Sequence, residues 1–291
     1  MTGDESDRRR LEKKSNQMRI NLLSMFGKYG YGHIGGSLSI VEIVTVLYFH
    51  EMNLRPDNPK WEDRDRFILS KGHACFTQYV ALAELGIIPK SLLDRPYEVD
   101  SPLQGHPEFN TCPGIEMSTG ALGQGLSAGI GMALGGRLRK KDFRVYVLLG
   151  DGELNEGQVW EAAMFAPKYK LDNLVAFIDR NKHALSGRTQ ETMPLEPLAD
   201  KWVAFGWHVI QVDGHSVSQL LNALSEARET KGKPTAIIAR TVKGRGVSYL
   251  EDKSTSHATY ISREQTAQAL KDLGCTEEEI AKALLKTTGD I

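Results

Sequence analysis

An aspartate and an asparagine that each close an apolar run are the residues best placed to do chemistry. Asp151 lies in Gly150-Asp151-Gly152, after Phe143-Arg144-Val145-Tyr146-Val147-Leu148-Leu149. Asn181 lies in Phe177-Ile178-Asp179-Arg180-Asn181-Lys182, after Leu174-Val175-Ala176. Both runs are short, apolar and β-branched enough to read as buried parallel strands. In an open α/β sheet, ligands bind at the carboxyl ends of the strands. The separation of 30 residues (181 − 151) leaves room for one crossover helix. A carboxylate and an amide oxygen at that edge suit a hard divalent cation such as magnesium, which shares its remaining ligands with phosphate oxygens and water. Gly-Asp-Gly alone would be a turn. A second oxygen donor at the end of the next strand points instead to a metal-bridged diphosphate.

The elements that position this pair follow from the hydrophobic pattern. A helix is expected over 4–28, where Leu11, Met18, Leu22, Leu23, Met25 and Phe26 recur between basic residues, and a second over 38–49. A short strand at 67–69 precedes a helix over 74–85. Pro89, Pro96, Pro102, Pro107 and Pro113 leave little regular structure between 86 and 117, and a long irregular segment in a compact protein is often a functional loop. A glycine-rich helix then runs from 119 towards 140, and a helix over 156–169 joins the two signature strands. Helix 197–205, strand 207–212, helix 216–229 and strand 235–240 continue the alternation. The reading is an α/β fold with a central parallel sheet flanked by helices, one domain over 1–291 in which 263–291 is a C-terminal helical extension.

Composition narrows the partners. Lys plus Arg is 36 against 37 for Asp plus Glu, so no overall charge draws the chain to nucleic acid or to an anionic membrane. Cys75, Cys112 and Cys275 are far apart and lack a Cys-x-x-Cys spacing, which argues against a disulfide framework or a zinc site and for a reducing cytoplasm. The opening residues are charged and no apolar run approaches membrane-spanning length, so neither a signal peptide nor a transmembrane helix is expected.

Other loops carry polar groups among small residues. In Ser118-Thr119-Gly120-Ala121-Leu122-Gly123-Gln124-Gly125 the glycines allow close backbone approach to a ligand, while those further along the helix suit tight packing. No strand precedes this run and Gly-x-Gly-x-x-Gly is not matched, which weighs against NAD. Histidines occur in Gly32-His33-Ile34-Gly35-Gly36-Ser37, Ser70-Lys71-Gly72-His73-Ala74 and Gly105-His106-Pro107-Glu108. Flanked by glycine, they read as acid/base or hydrogen-bonding groups around a polar substrate, without the spacing of zinc ligands. Lys243, in a turn after a strand, could meet a phosphate.

Taken in order, these motifs and Gly150-Asp151-Gly152-Glu153-Leu154-Asn155-Glu156-Gly157 resemble the thiamine-diphosphate-binding, amino-terminal part of transketolase, from about Lys14 to about His257. The resemblance implies that Asp151, Asn181 and the carbonyl of His183 hold Mg2+ or Ca2+ on the diphosphate. It implies that His73, Gly120, Ala121, Leu122, Gly152, Glu153 and Lys243 contact the cofactor, and that Glu156 lies at the subunit contact near its aminopyrimidine with a catalytic part to play. His33, His106 and His257 match positions that touch sugar substrate and assist proton transfer. Two departures fall on the substrate side: Gly36, where many relatives have a small polar residue, and Ser256-His257-Ala258-Thr259, where relatives often have Trp-His-Gly.

A full transketolase continues into a pyrimidine-binding domain that carries the catalytic glutamate, and no second set of strands follows His257 here. The resemblance therefore implies the amino-terminal subunit of a split transketolase, completed by a separately encoded C-terminal subunit in an α2β2 heterotetramer. Its substrates would be sugar phosphates, with those of the pentose phosphate pathway as the starting expectation. The alternatives are the cofactor-binding subunit of a 2-oxo acid dehydrogenase, which would not be expected to carry the two histidine loops, and a non-catalytic cofactor-binding scaffold.

Overall fold

A strand that is apolar at every position has to be covered on both faces, and this requirement organises the molecule. The computed structural model describes residues 5–285. Helix α1 (Glu5–Tyr29) leads into the two-residue strand β1 (Tyr31–Gly32), helices α2 (Ile34–Leu38) and α3 (Val41–Val46), strand β2 (Arg66–Leu69) and helix α4 (Cys75–Glu84). There follow α5 (Gln124–Leu138), β3 (Val145–Gly150), α6 (Gly157–Lys168), β4 (Leu174–Arg180), α7 (Thr189–Thr192) and α8 (Leu198–Ala204). The chain continues through β5 (His208–Asp213), α9 (Val217–Glu229), β6 (Thr235–Arg240), β7 (Thr259–Tyr260), α10 (Arg263–Asp272) and α11 (Glu277–Leu284). Strands β2 to β6 pair in parallel in the order β2-β3-β4-β6-β5.

Strands β3 and β4 are buried along their whole length, and their side chains alternate between two cores. Val145, Val147 and Leu149 join Ile130, Val159, Ala163 and Trp202 under α5, α6 and α8. Tyr146 and Leu148 point the other way, to Leu22, Val44, Val80 and Leu220 of α1, α3, α4 and α9. Burying one such Val or Leu contributes roughly 1.5–3 kcal/mol. Helix α5 lies close on the sheet because Gly129 leaves room for it: a Cβ there would stand 2.4 Å from Val147 Cγ2. Gly136 is similarly crowded by Phe143, whereas Gly131 and Gly135 face open space, so tight packing explains only some of the later glycines.

The expected strands and most of the expected helices form within a residue or two of the expected places, while the glycine-rich helix expected from 119 begins only at Gln124. The helix expected over 38–49 instead breaks into α2, α3 and a π-helical turn, Leu47–Glu51. One break falls at Ser39 and Ile40, where the Ser39 hydroxyl turns to Gly36 O at 3.0 Å and Asp179 Oδ2 at 2.8 Å. The C-terminal segment is two helices, because Gly274 takes φ +88° between them and each begins with a capping box, Ser262 with Gln265 and Thr276 with Glu279. These helices lie against α1, with Thr266 seated where a Cβ on Gly27 would be. Residues 286–291 of the expected extension lie outside the described residues. The antiparallel pairing of β1 with β7, Tyr31 opposite Tyr260 and Gly32 opposite Thr259, has no counterpart in the sequence reading. Among the described residues no helix is long and apolar enough to cross a membrane.

Candidate cofactor and active site

Because the five strands are parallel, their carboxyl ends share one edge of the sheet. Lys71 and His73 follow β2, Asp151 follows β3, Asn181 follows β4, and Thr241 and Lys243 follow β6. Asp151 is 1% exposed and its Oδ1 accepts from Gly152 N at 2.8 Å. Its Oδ2 accepts from Lys182 N at 2.5 Å and Arg180 Nη1 at 2.9 Å, which ties the ends of β3 and β4 together. Asn181 Nδ2 donates to Asp179 Oδ2 at 2.7 Å, so Oδ1 is left to accept, here from His183 N at 3.0 Å. The His183 ring sits between Ser254 Oγ and Asp252 Oδ1, 2.7 and 2.8 Å away, and its carbonyl accepts from Lys243 Nζ at 3.3 Å.

Segment 180–183, hydrogen-bonded to Asp151 and to Lys243, thus carries an amide oxygen and a peptide carbonyl alongside that carboxylate, all hard oxygen donors of the kind Mg2+ and Ca2+ take. Among the described residues no group of three His, Cys, Asp or Glu is arranged to hold a metal. Burial, with Asp179 nearby, raises the Asp151 carboxyl above the usual carboxylate range despite the pull of Arg180. A cation at this corner would relieve that penalty, so the donor set fits the metal that the resemblance implies.

Behind this corner stands a layer in which only Glu153, expected at the cofactor, was assigned from the sequence. Lys71 Nζ meets Asp179 Oδ2 and Gly36 O, both at 2.7 Å. Asp179 also accepts from Ser39 and from the Thr241 hydroxyl. Burial alone would raise the Asp179 pKa, but Lys71 and these hydroxyls prevail and hold it below the ordinary value. Glu153 is 2% exposed and faces inward: it accepts from the Ser70 hydroxyl, from Gly123 N at 2.9 Å and from Gly150 N at 2.9 Å. It braces the turn 120–123 rather than projecting beyond it. An acid inside an apolar strand was the available signal for Asp179, since a buried carboxylate needs a partner.

The four expected histidines come together. The β1–β7 ribbon carries His33 and His257 to one place, with ring centroids 5.6 Å apart. His73 lies 4.7 Å from His257 and 5.4 Å from His33, and His106, on the proline-rich loop, 6.0 Å from His33. Burial first, and then neighbouring positive charge, lowers His73 to about 2 and His257 to about 3. His33 and His106 are also lowered, again chiefly by burial. These rings are therefore neutral near pH 7, able to donate at one nitrogen and accept at the other. His33 Nδ1 is buried without a partner, an opening for a polar ligand. Lys243 Nζ is 3.2 Å from His257 Nδ1, and burial lowers its pKa to about 8.

Gly120 has φ +145°, and a Cβ there would lie 2.8 Å from His106 Cδ2, so the turn presses its bare backbone against that ring. Next to it Ala121 is exposed and Leu122 half-buried. Glu156 is exposed at the N-terminus of α6, with its Cβ only 2.7 Å from where a Gly123 Cβ would be. A Cβ at Gly36 would meet His73 Nε2 at 3.6 Å, an ordinary contact, so this departure leaves room beside the ring.

The family described as "Transketolase, thiamine diphosphate binding domain" matches residues 11–285. The chain belongs to this transketolase family. It is 46% identical over 263 residues to the 6-deoxy-6-sulfo-D-fructose transketolase subunit of Clostridium sp., covering 90% of this chain and 96% of that protein. It is 43% identical over 272 residues to an apulose-4-phosphate transketolase subunit of Phocaeicola vulgatus, covering 94% and 96%. Human transketolase is 41% identical over 271 residues, covering 93% of this chain but 43% of the human protein. Among solved structures, transketolase from Leishmania mexicana superposes with a TM-score of 0.86 at 30% identity, over 94% of this chain and 44% of that one. The transketolase-family chain thus spans under half the length of the full-length transketolases it matches and nearly all of the relatives named as subunits.

Proposed function

We propose that the chain is the cofactor-gripping subunit of a transketolase, transferring a two-carbon ketol unit from a ketose phosphate to an aldose phosphate together with a separately encoded C-terminal subunit. The observation that carries this reading is the convergence of Asp151, Asn181 and the His183 carbonyl with four neutral histidines at one sheet edge. Near-complete coverage of two relatives named as transketolase subunits supports the split arrangement, and we take the assembly with the partner to be α2β2.

In this reading Asp151, Asn181 and the His183 carbonyl hold a Mg2+ or Ca2+ ion on the diphosphate of thiamine diphosphate. Lys243, His73 and the turn of Gly120, Ala121 and Leu122 line the cofactor beside Gly152, with Glu153 acting through the backbone it braces. When bound, thiamine diphosphate supplies the carbanion chemistry, and protein groups orient the reactants and move protons. His33, His106 and His257 hydrogen-bond the hydroxyls of the sugar. A neutral imidazole there can take the proton from the donor hydroxyl whose C–C bond breaks and return it to the acceptor's new hydroxyl. Glu156, exposed beside the turn, is placed to meet the partner at the cofactor's other end. A cytoplasmic setting fits three free cysteines.

Reconstitution with the partner subunit tests the reading. Ketol transfer between phosphorylated sugars, dependent on thiamine diphosphate and Mg2+, is the expected result. Oxidative decarboxylation of a 2-oxo acid without ketol transfer would overturn it.

A further inference from the structure

Arg180 ends β4 with its guanidinium buried, 8% exposed, against a carboxylate assigned above to the metal. Nη1 donates to Asp151 Oδ2 and to Thr189 Oγ1, each at 2.9 Å. Nη2 and Nε both reach Glu196 Oε1, at 2.9 and 3.3 Å. The guanidinium is therefore held from two sides, by buried Asp151 and by Glu196, which is 53% exposed. Lys71 already serves the neighbouring acid, Asp179, so Arg180 is the side-chain cation paired with Asp151.

A carboxylate as buried as Asp151 does not remain ionised at low cost unless a positive charge and hydrogen bonds accompany it. In the metal-free chain Arg180 supplies the positive charge, 2.9 Å from Asp151 Oδ2. Once a divalent ion binds Asp151, the same carboxylate is shared between the ion and a fixed guanidinium 2.9 Å away, and the two cations oppose each other. We propose that Arg180 is a built-in counter-cation: it holds the Asp151 carboxylate aimed in the metal-free chain, and it sets the divalent-metal affinity by competing for the same carboxylate. This rests on the metal site proposed above, and Arg180 acts there as a positioning residue.

Competition and simple bracing make opposite demands on two substitutions. Arg180→Gln removes the charge but keeps an amide donor. Glu196→Gln removes the acid on the far side of the guanidinium, keeps the acceptor for Leu198 N, and leaves Arg180 more fully committed to Asp151. The full chain is titrated with Mn2+, with and without thiamine diphosphate, and free Mn2+ is read by electron paramagnetic resonance. Thermal unfolding of the metal-free protein is followed in parallel.

Arg180→Gln is expected to bind Mn2+ about tenfold more tightly, the scale of one hydrogen bond to a charged group, and to unfold at a lower temperature without metal. Glu196→Gln is expected to bind about two- to threefold more weakly, the scale of a half-exposed ion pair. If both variants weaken binding, or neither changes it, Arg180 is only a brace and the proposal fails. If Arg180→Gln does not fold, unchanged or tighter binding by Glu196→Gln still overturns it. A wild-type chain that binds no Mn2+ even with thiamine diphosphate overturns the metal site itself, and the proposal with it.

Discussion

Lys71 Nζ stands 2.7 Å from Asp179 Oδ2, with the two side chains 3% and 0% exposed. This bond joins the end of β2 to the end of β4 across β3, at the edge where the cofactor would bind. Lys71→Met leaves Asp179 buried without its cation and should cost about 3–5 kcal/mol, read as a lower urea midpoint. Pairing it with Asp179→Leu should recover much of that loss; a double variant no better than the single would show that the pair is not what matters.

Asp151→Ala should abolish Mg2+-dependent binding of thiamine diphosphate. Calorimetry in Mg2+ buffer checks this, and wild-type affinity would contradict the placement of the metal. Arg180 would then retain Thr189 and Glu196 but lose its buried acid.

The substrate role proposed for His106 should separate from cofactor binding. His106→Ala should leave thiamine diphosphate affinity within about twofold and lower kcat/KM in the reconstituted enzyme by about 10²-fold or more, the scale of a lost proton-transfer group. Gly120→Ala should affect both, because the added methyl collides with the His106 ring and the positive φ disfavours a side chain. Unchanged kinetics in His106→Ala would remove it from the substrate site.

Acid should loosen the molecule through its histidines. His73 is lowered to about 2 in the fold against an ordinary 6.5, so below about pH 6.5 the unfolded chain takes up a proton that the folded one refuses. Its stabilising contribution is complete above pH 6.5 and declines as the pH falls, by at most about 1.4 kcal/mol per pH unit. His257, lowered to about 3, acts in the same direction. Lys71, Lys243, His33 and His257 are the charged or titratable neighbours that make the His73 proton unwelcome. Urea unfolding of metal-free protein between pH 7 and 4 should show this slope, and His73→Gln should flatten it. An equal slope in the variant would assign the acid sensitivity to His257 or the carboxylates.

Glu156 is exposed, so Glu156→Ala should leave the chain's own stability within about 0.5 kcal/mol while weakening assembly with the partner subunit. Analytical ultracentrifugation of the mixture reads this, and undiminished assembly would place the contact elsewhere.

Legibility in the sequence followed the strength of local signals. Strands β3, β4 and β6 stood out because each carries a continuous apolar run, and the Asp151–Asn181 relation followed from where two of those runs stop. The order β4-β6-β5 was not visible, because β5 is half-exposed and nothing local says that a later strand will insert beside β4. The histidine loops could be listed singly, but their meeting depends on two-residue strands too short to carry any periodicity. Lys71 and Arg180 looked like ordinary charged residues, and Glu153 was expected at the cofactor rather than behind the turn. Only burial shows that each is tied to a particular acid, base or amide, and burial is a property of the folded chain.

The small ribbon of β1 and β7 has a consequence for how the protein is made. His33 and His257 are separated by 224 residues (257 − 33) and meet only when that ribbon closes. Synthesis at roughly 5–20 residues per second puts on the order of ten seconds or more between the emergence of one and the other. The sheet can gather most of its strands during that interval, while the histidine cluster has to wait until Thr259 and Tyr260 have been made. A chain stalled or clipped before residue 259 could hold the Asp151 corner and still lack the strand that sets His257 beside His33.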